Sequence, residues 1–167
     1  MDDVAKLLDF GLVRPAATAR AAHLSAEGEV LGTPLYMAPE QATGGGAVDE
    51  RSDIYSLGAV AYYLLTGRPP FEGTDGFAVL IAHARDPVVP PSRVNPGIPE
   101  DLERIVLQCL AKDPAERFPC ARTLERALGE CACAGDWDRE RAARWWQDAD
   151  AGYRQLSRPR GSLASDR

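Results

Sequence analysis

The most strongly patterned part of the chain is residues 54–65, whose hydrophobic positions cover nearly the whole circumference of a helix. A helix that is apolar on all sides is typical of a protein core, so we expect this one to be buried throughout. Its start can be capped by Asp49, Ser52 or Asp53, because each has a side-chain oxygen that can accept from the first free amides. Gly67 and the prolines after it predict where the helix ends.

Shorter helical patterns follow this central helix. Residues 75–84 carry apolar positions on one side, and a helix with Pro99 at its first position shows the spacing of an amphipathic helix. The sequence DPAE predicts a capping box, with Asp113 as the N-cap and Glu116 three residues later. A last core helix carries Leu124. The chain is therefore predicted to be mainly α-helical.

Composition narrows the classes of function. Hydrophobic residues make up 45% of the 167 residues and charged residues 26%, which is ordinary for a globular protein. The net charge of −6 argues against a nucleic-acid partner, which would require a basic face to neutralise phosphates. The four cysteines and two histidines lack the spacing of a zinc site. Neither an export signal nor a membrane segment is evident, so we expect a cytoplasmic chain with reduced thiols.

Short motifs of the chain occur in a distinctive order. The tripeptide Asp9-Phe10-Gly11 is followed by GTPLYMAPEQ at 32–41, by DERSDIYSLGAVAYYLLTGRPPFEG at 49–73 and by CLAKDPAERF at 109–118. In this order and spacing they resemble the C-terminal lobe of eukaryotic-type serine/threonine protein kinases, especially the bacterial members. The resemblance covers about residues 4–128. It implies the helical lobe of the protein-kinase fold.

The resemblance implies a metal and nucleotide role for the first motif. Asp9 matches the aspartate that ligates the magnesium ion bridging the phosphates of ATP, and carboxylate oxygens suit that ion. Phe10 matches the apolar neighbour whose packing sets the active or inactive state, and Gly11 gives the backbone freedom to turn there. ATP and Mg²⁺ are therefore the cofactors implied for the parent family.

Residues 12–37 resemble the activation segment of these kinases. Thr33 matches the threonine that contacts the catalytic loop in serine/threonine kinases, so the resemblance argues against a tyrosine kinase. Thr18 and Ser25 are candidate phosphorylation sites, and Ser25 lies near the position where bacterial relatives are phosphorylated.

Three further residues match structural positions of the family. Glu40 matches the glutamate of a buried ion pair, and Arg117 matches its distant arginine partner. Asp53 matches the aspartate of the central helix that binds the backbone of the catalytic loop, although a simple N-cap explains it equally well. We interpret all three as structural rather than catalytic.

Several parts of a complete kinase domain are not found in this sequence. In the family, the Gly-rich loop, the ATP lysine and the catalytic loop all precede the D-F-G motif, and only residues 1–8 precede Asp9 here. We therefore expect the N-terminal lobe and the catalytic loop to be absent, and ATP and Mg²⁺ not to bind this chain alone. Phosphoryl transfer needs several positioned groups at once, so we expect the isolated chain to lack kinase activity.

The chain divides into four predicted parts: the D-F-G strand with the activation segment, the helical lobe, a Trp-rich helix and a disordered tail, at 1–40, 41–130, 131–148 and 149–167. Asp136 or Asp138 caps the Trp-rich helix, whose tryptophans Trp137, Trp145 and Trp146 are interpreted as packing anchors. The Arg-, Ser- and Pro-rich composition of the tail is typical of disorder.

Two alternative functions stay open. One is a non-catalytic, pseudokinase-like interaction module that docks on a kinase or substrate through a groove near residues 70–95. The other is one half of a split kinase, with another chain as partner supplying the N-terminal lobe. Leu7, Leu8 and Phe10 would normally pack against the missing parts, so we also expect exposed apolar surface and self-association.

Overall fold

The computed structural model describes residues 34–43 and 48–156, except for the side chains of residues 150–156. In this part of the chain the regular structure is helical, with seven α-helices and two short 3₁₀ turns. The α-helices are α1 to α7 in chain order: Pro39–Thr43, Glu50–Thr66, Gly76–Arg85, Pro91–Val94, Glu100–Cys109, Ala121–Gly129 and Arg139–Leu156. The 3₁₀ turns are Pro34–Tyr36 and Pro114–Glu116. The mainly α-helical fold predicted from the sequence is confirmed.

Helix α2 is the central element of the lobe, and its two ends are set by the residue types that cap it. The side chain of Asp49 accepts a hydrogen bond from the amide of Arg51, so Asp49 is the N-cap and Asp53 is not. At the other end Gly67 adopts a left-handed conformation with φ 76°, and its amide donates to the carbonyl of Tyr63. A side chain at this φ would be strained, so glycine suits the position.

The core forms where α2 packs against the helices after it. One cluster of buried residues joins the segment before α1, α2 and the end of α5: Ala38, Tyr55, Ala59, Tyr62, Val106 and Leu110. A second cluster joins α2 and α5 to α6: Ile54, Cys109, Phe118 and Leu124. Both clusters exclude water from apolar side chains, which is the main favourable contribution to folding.

The expectation that α2 is buried on all sides is wrong. Leu57, Val60 and Leu64, spaced to lie along one side of the helix, are exposed by 51%, 39% and 76%. The opposite side carries Tyr55 and Tyr62, which are fully buried. The periodicity of apolar residues shows that a helix surface is suited to packing. It does not show whether another described residue packs against that surface.

Smaller corrections concern helix starts. The predicted helix at 75–84 is confirmed as α3, with the side chain of Asp75 accepting from the amide of Ala78. Pro99 is the N-cap of α5 rather than its first residue. Asp113 caps only a 3₁₀ turn, because the chain leaves the helical conformation at Arg117. The capping box instead lies at Cys120 and starts α6.

The described residues from Gly135 onward belong to a second compact unit. Its helix α7 follows Asp138, whose side chain accepts from the amide of Arg141 at 2.7 Å. The helix continues to Leu156, beyond the boundary at residue 148 that composition predicted. Trp145 and Trp146 contact each other edge to face, with ring centroids 4.8 Å apart.

Candidate functional site

The described part of the candidate site is the stretch Pro34–Thr43 and the side chains that hold it. The residues predicted to act on nucleotide, metal or phosphate lie outside the described residues: Asp9, Phe10, Gly11, Thr18, Ser25 and Thr33. The stretch directly follows Thr33 and contains the 3₁₀ turn Pro34–Tyr36 and helix α1. The site can therefore be described at the end of the predicted activation segment and in the helix that follows it.

Glu40, in α1, is held by Arg117, which follows the second 3₁₀ turn. Nη1 and Nη2 of Arg117 donate to Oε1 and Oε2 of Glu40 at 2.8 and 2.9 Å. This two-point geometry matches the planar guanidinium to the carboxylate and fixes the direction of both side chains. Both residues are buried, and the side chain of Arg117 is fully enclosed.

The remaining donors of Arg117 are all used. Its Nε donates to the carbonyl of Ala111 at 2.8 Å, and the two terminal nitrogens also donate to the carbonyls of Arg51 and Lys112 at 3.0 and 3.1 Å. The five N–H groups of the guanidinium thus find five acceptors. A buried charge is tolerated when it is paired and fully hydrogen-bonded, and Arg117 satisfies both conditions.

Glu40 is also bonded from α2. The hydroxyl of Ser52 donates to Oε1 of Glu40 at 2.6 Å. Burial acts to raise the pKa of Glu40, but the hydrogen bonds from Arg117 and Ser52 outweigh it and hold that pKa below its ordinary value. Glu40 is therefore ionised at neutral pH. A fully bonded carboxylate without access to solvent positions the chain and is unsuited to proton transfer.

Asp53 is exposed on the first turn of α2, and its side chain has no hydrogen-bond partner among the described residues. The N-cap explanation for this residue is wrong, because Asp49 occupies the cap. The contact with a catalytic loop that the resemblance implies stays a prediction.

The sequence reasoning missed a second set of buried polar groups beside the same stretch. His83 of α3 is fully buried, and its Nδ1 lies 2.8 Å from the hydroxyl of Tyr55 in α2. Its Nε2 lies 3.1 Å from the carbonyl oxygen of Leu35, in the first 3₁₀ turn. A signal was available in the sequence. His83 lies three residues after Leu80 and four residues after Val79, so it falls on the buried side of α3.

Lys112 contacts the C-terminal end of α3 and the Phe71 ring. Its ammonium donates to the carbonyl of His83 at 2.7 Å, at the end of α3, and lies 4.2 Å from the centre of the Phe71 ring. A cation at a helix C-terminus offsets the negative end of the helix dipole. Burial lowers the pKa of Lys112 to about 8. Burial likewise lowers the pKa of His83 to about 4, and the nearby charge of Lys112 adds to this effect.

The described residues position the chain and contain no metal centre. Among residues 34–43 and 48–156, no group of three His, Cys, Asp or Glu side chains could hold a metal ion. In the same part of the chain no helix combines the length and apolar character needed to cross a bilayer.

Comparison with known proteins identifies the fold. Residues 1–128 match the protein kinase domain family. The chain is 42% identical over 149 residues to the DNA damage-responsive serine/threonine-protein kinase RqkA of Deinococcus radiodurans, covering 89% of this chain and 20% of that protein. It is 43% identical over 123 residues to the serine/threonine-protein kinase PknB of Mycobacterium leprae, covering 74% of this chain and 19% of that protein.

A third relative is similar to the same extent. The serine/threonine-protein kinase Pkn1 of Myxococcus xanthus is 45% identical over 125 residues, which cover 74% of this chain and 17% of that protein. The chain thus spans about a fifth of the length of the curated relatives that it matches. Together with the helical fold, these matches show that the chain belongs to the protein kinase family and carries the helical C-terminal-lobe architecture of bacterial eukaryotic-type serine/threonine kinases.

Proposed function

We propose that this chain supplies the substrate-side helical lobe of a serine/threonine protein kinase. The parent reaction transfers the γ-phosphoryl group of ATP to a Ser or Thr hydroxyl of a protein. The observation that carries the proposal is the fully bonded pair of Glu40 and Arg117, which holds the stretch directly after Thr33 against α2. Catalysis of phosphoryl transfer depends on such positioning.

The roles of the remaining predicted residues follow from the family. In the assembled kinase, Asp9 ligates the magnesium ion that neutralises charge on the ATP phosphates. Phe10 and Gly11 set the conformation of that aspartate, and Thr33 contacts the catalytic loop. Ser25 and Thr18 are the proposed phosphorylation sites. These proposals are supported by the match of residues 1–128 to the kinase domain family.

The isolated chain is proposed to be inactive. A single carboxylate at Asp9 cannot replace the general base, the second metal ligand and the nucleotide-covering loop that the reaction requires. The test measures transfer of the labelled γ-phosphate of ATP to a generic protein substrate in the presence of Mg²⁺. The purified chain is compared with its Asp9→Ala variant. We expect no transfer by either protein. Transfer that Asp9→Ala abolishes would contradict the proposed inactivity and support catalysis by this chain alone.

The exposed apolar residues of α3 favour one alternative, a non-catalytic interaction module. Phe77 and Ile81 lie one turn apart on this helix and are both exposed. The DNA immediately upstream of the codon for Met1 separates the two proposals when it is translated in all frames. A catalytic-loop sequence of the H-R-D type, in or out of frame, supports the kinase origin. Its absence favours the interaction module.

We also propose a cytoplasmic location, supported by the state of the thiols. All four cysteines of the chain are free: Cys109, Cys120, Cys131 and Cys133. Burial raises the pKa of the Cys109 thiol to about 12, so this group stays protonated and unreactive. Free thiols are typical of proteins in a reducing compartment. Fractionation of the producing cells, with the chain detected in the soluble fraction, is the test.

A further inference from the structure

The carbonyl oxygen of Leu35 is the second point at which the candidate site is held. His83 reaches it from α3, across 48 positions of sequence, at 3.1 Å. On its other side the same ring meets the hydroxyl of Tyr55 at 2.8 Å. One imidazole thus bridges α2, α3 and the 3₁₀ turn that directly follows Thr33.

The chemistry of the two partners determines the protonation of the ring. A backbone carbonyl can only accept a hydrogen bond, so Nε2 of His83 must carry the proton and donate to Leu35. In a neutral imidazole Nδ1 is then an acceptor, and the hydroxyl of Tyr55 must donate to it. The hydrogen bonds therefore run in one direction, from Tyr55 through His83 to Leu35.

Tyr55 also contacts Arg117, which holds the same stretch at Glu40 and is the first anchor of the candidate site. The guanidinium of Arg117 lies over the Tyr55 ring at 4.7 Å from its centre, a cation–π contact within a fully buried environment. The stretch Pro34–Thr43 is therefore fixed at Leu35 by His83 and at Glu40 by Arg117. Tyr55 touches both anchors, through its hydroxyl and through its ring.

An ordinary core residue could not replace this histidine. Phe71 packs against the His83 ring edge to face at 4.9 Å, so the surroundings would accept an apolar ring. Such a ring would leave the buried hydroxyl of Tyr55 and the half-buried carbonyl of Leu35 without this partner, at a cost for each. In the described part of the chain no buried side-chain nitrogen or oxygen lacks a hydrogen-bond partner, so the Tyr55 hydroxyl and the His83 ring are satisfied as they stand.

We propose that His83 is a positioning residue: as the neutral Nε2–H tautomer it fixes the backbone of Leu35, and with it the segment that presents a Ser or Thr peptide to the kinase. The substrate part of this proposal rests on the proposed kinase function. The groups facing His83 from the packed elements are the Tyr55 hydroxyl on α2 and the Lys112 ammonium after α5. Neither carries negative charge at neutral pH, so neither favours an imidazolium, and the anchor persists through the physiological pH range.

The tautomer is tested on the full chain by NMR of ¹⁵N-labelled histidine. The chain has one other histidine, His23, and a His23→Gln variant assigns the signals. We expect His83 to show a protonated Nε2 and an unprotonated Nδ1 from pH 6 to 8, with no titration over that range. A protonated Nδ1, or titration near the ordinary histidine value, would overturn the proposal.

Positioning is tested by amide hydrogen exchange in two variants. His83→Phe keeps a ring but removes the donor to Leu35, whereas the amide of His83→Gln can still donate there. The probe is the amide of Met37, which closes the 3₁₀ turn by donating to Pro34 at 3.3 Å, and the reference is the amide of Leu110, which donates to Val106 at 3.1 Å.

We expect His83→Phe to accelerate exchange at Met37 by about fivefold relative to Leu110, the effect of losing one hydrogen bond. His83→Gln should restore most of the protection. Equal acceleration at both amides, or no rescue by Gln, would overturn the positioning role, because loss of packing alone affects the whole core. Neither measurement requires phosphoryl transfer, so failure of the kinase proposal and failure of this anchor give different results.

Discussion

Arg117 and Glu40, 77 positions apart in the sequence, form a two-point ion pair in which both carboxylate oxygens meet a terminal guanidinium nitrogen within 2.9 Å. The pair ties the beginning of the described lobe to the turn that precedes α6. Because the same guanidinium also bonds three backbone carbonyls, it joins the segments around Arg51, Ala111 and Lys112. Loss of Arg117 should therefore loosen several connections of the lobe at once.

Arg117→Ala is expected to destabilise the chain strongly. It leaves the carboxylate of Glu40 buried without its cation and three carbonyls without a donor, a change that typically costs about 3–5 kcal/mol. Urea unfolding followed by circular dichroism measures the free energy of unfolding. Arg117→Lys should recover only part of the loss, since an ammonium cannot reproduce the two-point geometry.

Arg51→Ala provides the control for this experiment. Arg51 also pairs with a carboxylate, that of Asp49, at 2.6 Å, but both side chains are about one third exposed. Water replaces the lost contact there, so the free energy of unfolding should barely change. An unchanged free energy of unfolding for Arg117→Ala would contradict the structural role proposed for the buried pair.

Acid should weaken the fold through His83. Burial lowers the pKa of His83 from 6.5 to about 4, so between these values the unfolded chain binds more protons than the folded one. The stabilising contribution of the neutral ring is complete above pH 6.5 and is lost as the pH falls toward 4. The loss is about 2 kcal/mol by pH 4.5. Protonation of Glu40 also lowers the stability as the pH falls below the ordinary pKa of a glutamate, because its pKa is lower in the folded chain than in the unfolded chain.

The comparison of wild type with His83→Gln isolates the histidine contribution. Urea unfolding at pH 7.0, 5.5 and 4.5 should show the stability difference between the two proteins shrinking as the pH falls. Glu40 and the second histidine, His23, are present in both proteins, so their titration cancels. A difference that stays constant with pH would show that His83 titrates normally in the folded chain.

Gly58 is expected to resist substitution because α2 and α5 approach closely there. A Cβ atom at this position would lie 2.5 Å from Cβ of Cys109 and 3.4 Å from Cγ of Leu110. Gly58→Ala gains helix propensity of about 1 kcal/mol, but overpacking typically costs about 1–3 kcal/mol. We expect net destabilisation, measured as a lower urea midpoint at an unchanged slope.

The matched control is Gly129→Ala at the end of α6. Nothing lies within 4 Å of a Cβ atom at Gly129, and its φ is not positive. The substitution should therefore be neutral or stabilising, because it restricts the unfolded chain. Opposite signs for the two substitutions support close packing of α2 on α5. Equal effects would contradict it.

Local signals in the sequence predicted the longer helices of the lobe but not the short helices α1 and α4. The end of α2 at Gly67 and the start of α3 at Asp75 were predictable because a left-handed glycine and a capping carboxylate act within one turn. Asp113 was correctly predicted as an N-cap, but it caps a 3₁₀ turn without the reciprocal bond of a capping box, since DPAE suits an α-helix and a 3₁₀ turn equally well. The helical lobe itself was predicted from the resemblance of whole motifs.

The candidate site was less accessible to sequence reasoning. Glu40 and Arg117 were paired through the family resemblance, because no local pattern connects residues so far apart. The Tyr55–His83–Leu35 connection was missed, since it depends on three elements meeting in space. The exposed side of α2 was also missed, because hydrophobic periodicity does not reveal whether a partner covers a surface.

The exposed side of α2 should bind a hydrophobic dye. Leu57, Val60 and Leu64 form a continuous apolar stripe, and Leu64 is 76% exposed. Leu64→Lys is expected to reduce fluorescence enhancement of anilinonaphthalene sulfonate and any dimer seen by light scattering. The free energy of unfolding should be nearly unchanged, since an exposed side chain contributes little. Glu125→Gln, at an exposed position of α6, changes the net charge by the same amount and should leave dye binding unchanged. Equal responses of the two variants would trace the signal to charge and contradict an apolar binding surface.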